Sequence, residues 1–527
     1  LHHTSGRVKP DSHSRQEPMF LVSFNVLLAI SLKIAIVWSE TNRPNVVFVI
    51  FDDLRPAISG YGDKLAKTPN LDKFMQKSFY FTKAYCQQAL CAPSRNSMLT
   101  GRRPDTLHLY DFYSYWRTFT GNFTTLPQYF KNYGYHTHSI GKVFHPGVSS
   151  NFTDDYPLSW THRPFHPPTE TFMNAAVCPD NSGALHANLI CPVRPKLQPG
   201  HSLPDIQSTK EAIRFLKVHE NSTKPYFLAV GFHKPHVPFR FPQKFLKYFP
   251  RDDFNSSSER KPEGMPDVAW NPFTDVRERD DSKKLNIPFP FGPIPEEFQT
   301  SIRQAYYTAV CYVDHWFGKL LRNINFNNTI VVVTGDHGWS LGEHGEWAKF
   351  SNFEVAVRVP LIIYSPQFKI TQSKKIDKVV ELLDIFPTLV DLANLPKLKT
   401  CTSRSELTCA EGKSLHKLLQ SGNFTSHRWA LNQYPRPGTY PTQHPDSDKP
   451  KLHEIKVMGY SIRTTNFRYT MWVPFNPSTF TKDWNKPYGE ELYDHRVDYA
   501  ENINLKGRLE YEAIRKKLQR RLIYANN

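Results

Sequence analysis

Several things are scarce in this chain. Glycine and proline, 24 and 42 of 527 residues, make up about an eighth of it. That excludes a low-complexity or unpatterned disordered protein. No internal repeat is found. Only one run is long and apolar enough to approach a membrane span, and it lies near the start. Acidic residues are outnumbered, 49 against 66 Lys and Arg, leaving a net charge of +17. Such a chain attracts anions, but the count does not choose among phosphate, sulfate, carboxylate and a membrane surface. The 39% hydrophobic content over this length supports a large core and more than one domain.

The apolar run begins at Met19 (MFLVSFNVLLAISLKIAIVWSE), is interrupted by Lys33, and meets a small residue at Ser39. It reads as a signal peptide, the alternative being an N-terminal anchor. Residues 1–18 are set aside. Secretion agrees with six N-x-[ST] sequons, at Asn122, Asn151, Asn221, Asn255, Asn327 and Asn423, each an expected surface glycosylation site. Asn476 is excluded by the proline that follows it. Cysteine is sparse and odd in number, with seven. Two close pairs in loop-like stretches, Cys178 with Cys191 and Cys401 with Cys409, are expected to be disulfides. Cys311 falls in a helical pattern as a small buried hydrophobe. Cys86 stays unassigned.

Asn45–Phe51 is a continuous β-branched run that stops at Asp52-Asp53, as a buried parallel strand stops at a functional edge. Tyr226–Phe232 runs into His233, and Thr329–Thr334 into Gly335-Asp336-His337. Another strand is predicted over Val379–Leu383. Helices are predicted after Thr68-Pro69, over 207–219, over 302–320 with Trp316 on its apolar stripe, and from Asp384. The alternation predicts an α/β domain with a mostly parallel sheet, whose ligands gather at the carboxyl ends of strands. Residues 433–452 read as a linker or exposed loop. Beyond them Gly459–Thr464 and Phe467–Val473 form a hairpin, Glu490–Asp494 a strand, and roughly 505–524 a basic helix. The expected layout is upstream and signal residues 1–39, a catalytic domain 40–440 and a smaller α+β subdomain 441–527.

Cys91-Ala92-Pro93-Ser94-Arg95 places a cysteine at the start of a short helix closed by Gly101. Free N–H groups there favour an anion, and Arg95 lies one turn on. Alone, the pentapeptide fits a buried structural cysteine as well. Asp52, Asp53 and Asp336 make a hard oxygen site suited to Ca²⁺ or Mg²⁺. Lys142 and His145 share the loop GKVFHPG, His233 stands in GFHKPH with Lys234 and His236 nearby, and Lys349 in WAKF. A divalent metal, two lysines and an arginine would neutralise a spread-charge ester, and an imidazole would protonate its leaving oxygen.

The stretch CAPSRNSMLTGRRP resembles the signature of the formylglycine-dependent sulfatase family. The resemblance implies an alkaline-phosphatase-like fold with a large mostly parallel sheet flanked by helices and a smaller C-terminal antiparallel part. It implies that Cys91 becomes formylglycine, whose hydrated aldehyde attacks sulfur, through a formylglycine-generating enzyme. It implies one Ca²⁺ held by Asp52, Asp53, Asp336, His337 and residue 91. Lys142, His233 and Lys349 would bind sulfate, His145 would assist the formylglycine, and His233 would be the general acid. Asn is common in this family where His337 stands, which leaves that residue's role open. RRPDTLHLYDFYSYWR, LPQYFKNYGYHTHSIGKVFHPG, VGFHKPHVPFRFP and GDHGWSLGEHGEWAKFSNFE resemble the branch acting on the 2-O-sulfate of terminal L-iduronate in heparan and dermatan sulfate. The implied partners are therefore sulfated glycosaminoglycan oligosaccharides and a mannose-6-phosphate sorting receptor, the compartment is the lysosome, and neither nucleic acid nor a lasting membrane span is implied. Trp339 contacts the sugar ring or packs. Competing readings are a sulfatase of another ester, such as choline or a different uronate sulfate, a silent glycosaminoglycan-binding homologue, and a phosphatase of the same superfold. Residues 1–39 carry +2, so about +15 remains beyond them. Three of those charges are aimed at one sulfate, and the remainder, joined by the 22 histidines at acidic pH, suits a polyanionic saccharide.

Overall fold

The computed structural model describes residues 6, 43–257, 260–422 and 429–526. The Met19 segment and the Asn423 sequon lie outside these. Residues 44–527 make one compact unit. Among the described residues no helix is long and apolar enough to cross a membrane.

Seven strands form the central sheet: β1 (Asn45–Asp52), β2 (Phe79–Tyr85), β3 (His136–Gly141), β4 (Tyr226–Pro235), β5 (Thr329–Gly335), β6 (Arg358–Tyr364) and β7 (Lys374–Glu381). Their order is β7-β2-β6-β5-β1-β4-β3. The block β5-β1-β4-β3 is parallel throughout. Only β6 runs against its neighbours β2 and β5. The unbroken apolar character of β1 follows from burial on both faces. Val47, Val49 and Phe51 enter one core cluster, and Val46, Phe48 and Ile50 the other. β5 divides likewise, with Val331 and Val333 on the first side and Ile330 and Val332 on the second.

Helices cover each side. On the first lie α1 (Pro69–Met75), α3 (Pro204–Val218) and the 26-residue α4 (Glu296–Leu321). Ile302, Tyr306, Ala309, Val313, Phe317 and Leu320 of α4 enter the core, while Trp316, expected on that stripe, is only half-buried. On the second side α5 (Ile385–Leu392) contributes Ile385, Phe386, Leu389 and Val390, and α2 (Cys91–Thr100) contributes Met98 and Leu99.

A second, antiparallel sheet contains β8 (Ala430–Arg436), β9 (Val457–Arg463), β10 (Phe467–Asn476), β11 (Thr481–Lys482) and β12 (Gly489–Asp494). The helix α6 (Glu512–Asn526) packs Leu518 and Leu522 against it. Tyr434, Val457, Trp472 and Tyr493 of this sheet join the first core cluster. Two expectations are corrected here. Residues 433–436, read as linker, belong to β8, and Ser447 and Asp448 further on are buried. The final helix starts at Glu512, after two 3-10 turns at Leu505–Gly507 and Leu509–Tyr511.

Both expected disulfides form, Cys178–Cys191 and Cys401–Cys409, while Cys86, Cys91 and Cys311 are free and buried. Asn122, Asn151, Asn221, Asn255 and Asn327 are exposed.

Candidate active site

The carboxyl ends of the central strands converge on Cys91. The β1–β4 register slips between Phe51 and Asp52, and Asp53 takes a left-handed φ of 62°, which turns successive carboxylates into one space. Asp336 follows β5 directly and is joined to β1 by the Asp53 N–H, which donates to its Oδ1 at 3.0 Å. Residues 86–90 connect β2 to α2, so that Cys91 opens this helix. Ligand atoms of Asp52, Asp53 and Asp336 lie within 4.8 Å of one another, as do those of Asp53, Cys91 and His337, and those of Asp52, Cys91 and His236. All are buried or nearly so.

Three cations neutralise the carboxylates. Lys142 Nζ is 2.7 Å from Asp52 Oδ2. Lys349 Nζ is 2.8 Å from Asp53 Oδ1 and 3.0 Å from Cys91 Sγ. Arg95 donates from Nη2 to Asp52 and from Nε to Asp336, each at 2.9 Å. Its Nη1 bonds the carbonyls of Lys142 and Val143. Every nitrogen of Arg95 is thus engaged, and the expected direct role on sulfate gives way to clamping two carboxylates and the Lys142 loop. Glycines make that loop possible. A Cβ on Gly231 would stand 1.9 Å from the Lys142 carbonyl oxygen, and one on Gly141 would stand 2.2 Å from the Gly231 oxygen.

The charges are balanced for a further cation. Burial and the neighbouring Asp52 and Asp336 push the Asp53 carboxyl up to about 7 despite Lys349, and its Oδ2 has no hydrogen-bond partner. Burial alone would raise Asp52, but Lys142, His236 and Arg95 hold it well below the usual carboxylate range. His337 Nδ1 lies 3.0 Å from the Gly338 carbonyl, to which its N–H donates. Nε2 then carries a lone pair 3.4 Å from Asp53 Oδ1 and 3.3 Å from Cys91 Sγ. Burial lowers this imidazole to about 4, so it is neutral, as a metal ligand must be. Three hard carboxylates, one unpartnered oxygen and a free imidazole nitrogen fit a divalent cation. Burial also pushes the Cys91 thiol well up against Lys142 and Lys349, which disfavours a plain thiolate nucleophile.

The histidines differ from expectation. His233, expected as general acid, lies inside β4, with Nε2 3.3 Å from Glu170 and Nδ1 3.8 Å from Asp205. His236, read only as support, has Nε2 3.9 Å from Asp53 Oδ2 and is the imidazole grouped with Cys91 and Asp52. β4 continues to Pro235, so the residue that enters the site is the one just past the strand. His145 is half-buried and lies against Phe112, ring centroids 4.6 Å apart and the rings tilted by 36°, with Nδ1 unpartnered. Trp339 is wholly buried, edge-on to Phe239, with the Lys349 ammonium 5.8 Å from its ring. It packs beneath the lysine, one of the two roles expected for it.

Sequence reading missed the groups that aim Lys349. Ala348 and Phe350, on either side of it, have φ of 69° and 71°. Asn271 donates to the carbonyls of Trp347 and Lys349, and buried Arg436 donates to that of Phe350 at 2.7 Å. Tyr306 donates to the Asp53 carbonyl at 2.8 Å. Asn271 and Arg436 stand in irregular or proline-rich context, where no periodicity marks them.

Residues 44–395 match the sulfatase family model, and residues 342–527 match a model described as N-sulphoglucosamine sulphohydrolase, C-terminal. The chain is 47% identical over 507 residues to iduronate 2-sulfatase of Mus musculus, covering 89% of this chain and 91% of that one. Against iduronate 2-sulfatase of Homo sapiens it is 46% identical, covering 89% and 92%. Among solved structures, the phosphonate monoester hydrolase of Agrobacterium radiobacter superposes with a TM-score of 0.68 at 20% identity, covering 92% of this chain and 95% of that one. A protein solved with its substrate D-glucosamine-2-N,6-O-disulfate superposes with a TM-score of 0.66 at 21% identity, covering 92% and 97%. The two solved structures establish the fold, and the sulfatase model with the two iduronate 2-sulfatases establishes that this chain belongs to the sulfatase family and is a sulfuric ester hydrolase.

Proposed function

We propose that this hydrolase removes the 2-O-sulfate from terminal L-iduronate in heparan and dermatan sulfate, after delivery to the lysosome as a glycoprotein carried by a mannose-6-phosphate receptor. The observation that carries this reading is 47% identity to an iduronate 2-sulfatase, sustained over 89% of the chain.

Asp52, Asp53, Asp336 and His337 would hold the divalent cation, Ca²⁺ in this reading, which bound there would neutralise charge on the sulfate oxygens. Conversion of Cys91 to formylglycine would supply a hydrated aldehyde, one hydroxyl attacking sulfur and the other later expelling sulfate. The remaining work falls to unmodified side chains. Lys142 and Lys349, within reach of Cys91, bind the sulfate. Arg95 positions Asp52 and Asp336. His236 donates Nδ1–H to the Val237 carbonyl, and burial holds the ring well below the ordinary imidazole value, so Nε2 faces the cluster as a lone pair that would take the proton of the attacking hydroxyl and pass it to the departing sugar oxygen. His145 assists from the Lys142 loop, and His233 with Glu170 and Asp205 lines a small cavity that His236 also reaches.

Peptide mass spectrometry across residue 91 of active protein should find formylglycine. Full activity with only cysteine there would refute the mechanism. A panel of sulfate esters should show turnover of a terminal 2-sulfated iduronate above choline sulfate and other uronate sulfates, and no turnover of it would sink the substrate assignment. Chelation should lower the unfolding midpoint, and Ca²⁺ in excess should restore it, by about 2.7 kcal/mol at a hundredfold its dissociation constant. An unchanged midpoint would remove the cation from this cluster.

A further inference from the structure

A groove of about 570 Å³ lies away from the Cys91 cluster, between the 193–197 stretch, residues 242–245 and the last turns of α4. Half-buried Trp316 and buried Phe245 supply its apolar surface. Lys196, Lys244 and Lys319 line it, and the Lys319 ammonium stands 3.9 Å from the Trp316 ring centroid. The charged groups acting on Lys319 are Lys244, Arg322 and Lys210, all of one sign. Among the described residues, none of these cations has an ion-pair partner, although ion pairs are abundant elsewhere on this chain. A surface that gathers like charges without carboxylates, around an aromatic ring in a concavity, has a specific complement. Sulfate groups satisfy the ammonium groups, and the apolar face of a pyranose ring packs on the aromatic. A flat anionic bilayer would meet a convex cationic face better than a recessed ring. Ile206 of the groove follows Asp205, which lines a separate small cavity with His233 and His236.

We propose that this groove is a second binding site for a sulfated glycosaminoglycan chain, holding a segment remote from the sugar whose sulfate is cleaved. The choice of polyanion rests on the function proposed above, while the groove itself does not. The test is calorimetric binding of a sulfated hexasaccharide whose terminal sugar carries no 2-O-sulfate, so that the Cys91 site has nothing to cleave. The full chain should bind it, and its fully desulfated counterpart much less. Lys244→Gln/Lys319→Gln should weaken binding about three- to tenfold, and Trp316→Ala by a similar factor. The lysine pair should also lower kcat/KM on a long 2-sulfated chain by that factor and leave kcat/KM on a 2-sulfated disaccharide unchanged. Equal losses on both substrates, or hexasaccharide affinity untouched by the substitutions, would overturn the proposal. So would variant-sensitive binding to phosphatidylserine vesicles with none to the hexasaccharide. Variant-sensitive hexasaccharide binding without turnover of iduronate 2-sulfate would leave the groove standing and remove only the proposed substrate.

Discussion

Cys91→Ala and Cys91→Ser are each expected to lower kcat by on the order of 10³–10⁶, the range seen when a nucleophile is removed from an otherwise intact site. The loss should be in turnover, not in binding. Lys142 and Lys349 are anchored by Asp52 and Asp53 as well as by their nearness to Cys91, so the anion-binding pair survives the substitution. Binding of inorganic sulfate, the product anion, should therefore change by no more than about threefold, which is under 1 kcal/mol. The fold should persist too. Cys91 is wholly buried at the first turn of α2, but removing or exchanging one small atom there costs about 1 kcal/mol. Serine separates the nucleophile's chemistry from its shape, because it fills the position without yielding an aldehyde. Retention of more than about a tenth of wild-type kcat by Cys91→Ser would show that residue 91 is not the reacting group.

The site was legible where backbone pattern and chemistry coincide. Apolar runs ending abruptly in Asp52-Asp53 and Asp336-His337 mark buried parallel strands, and these do lie side by side as β1 and β5. Cys91 was legible as a helix start because Gly101 supplies the left-handed residue that closes the helix, at φ 66°. His233 and His236 were not separable by pattern. The choice depends on where β4 ends, and the strand runs three residues past the apolar run that defined it. β8 was hidden by composition. Pro435 and the proline-rich stretch after it suggest a loop, but β8 pairs only with β9 within its sheet, and an edge strand tolerates the missing N–H. Asn271, Arg436 and Tyr306 act through backbone carbonyls far away in sequence, or through a helix face that also serves the core. Such contacts leave no local signal.

Glu354→Gln is expected to destabilise the protein by about 3–5 kcal/mol, the cost of breaking a buried ionic cluster from one side. Glu354 ties the two sheets together. Its Oε1 accepts from the Tyr85 hydroxyl at the end of β2, at 2.9 Å. Its Oε2 accepts from Arg463 of β9 and Arg468 of β10, each at 2.9 Å. Glu501 completes the cluster, pairing with Arg468 and with His495, the latter at 2.8 Å, and accepting the Glu354 N–H. Neutralising Glu354 leaves two fully buried guanidinium groups sharing Glu501. Burial alone would raise the Glu354 carboxyl, but Arg463, His495 and Arg468 hold it well below the usual range, and Arg468 with His495 does the same for Glu501. The folded state therefore binds fewer protons than the unfolded one. The stabilisation is fully present above the ordinary glutamate pKa of about 4.3 and is lost as pH falls below it toward the depressed folded values. At a mildly acidic pH near 5 the joint stays mostly intact. Urea unfolding at pH 7 and near pH 3 would test this: the gap between wild type and Glu354→Gln should be widest at pH 7 and narrow toward pH 3. A gap below about 1 kcal/mol at pH 7, or one that does not change with pH, would mean that the carboxylate is not the tie between the sheets.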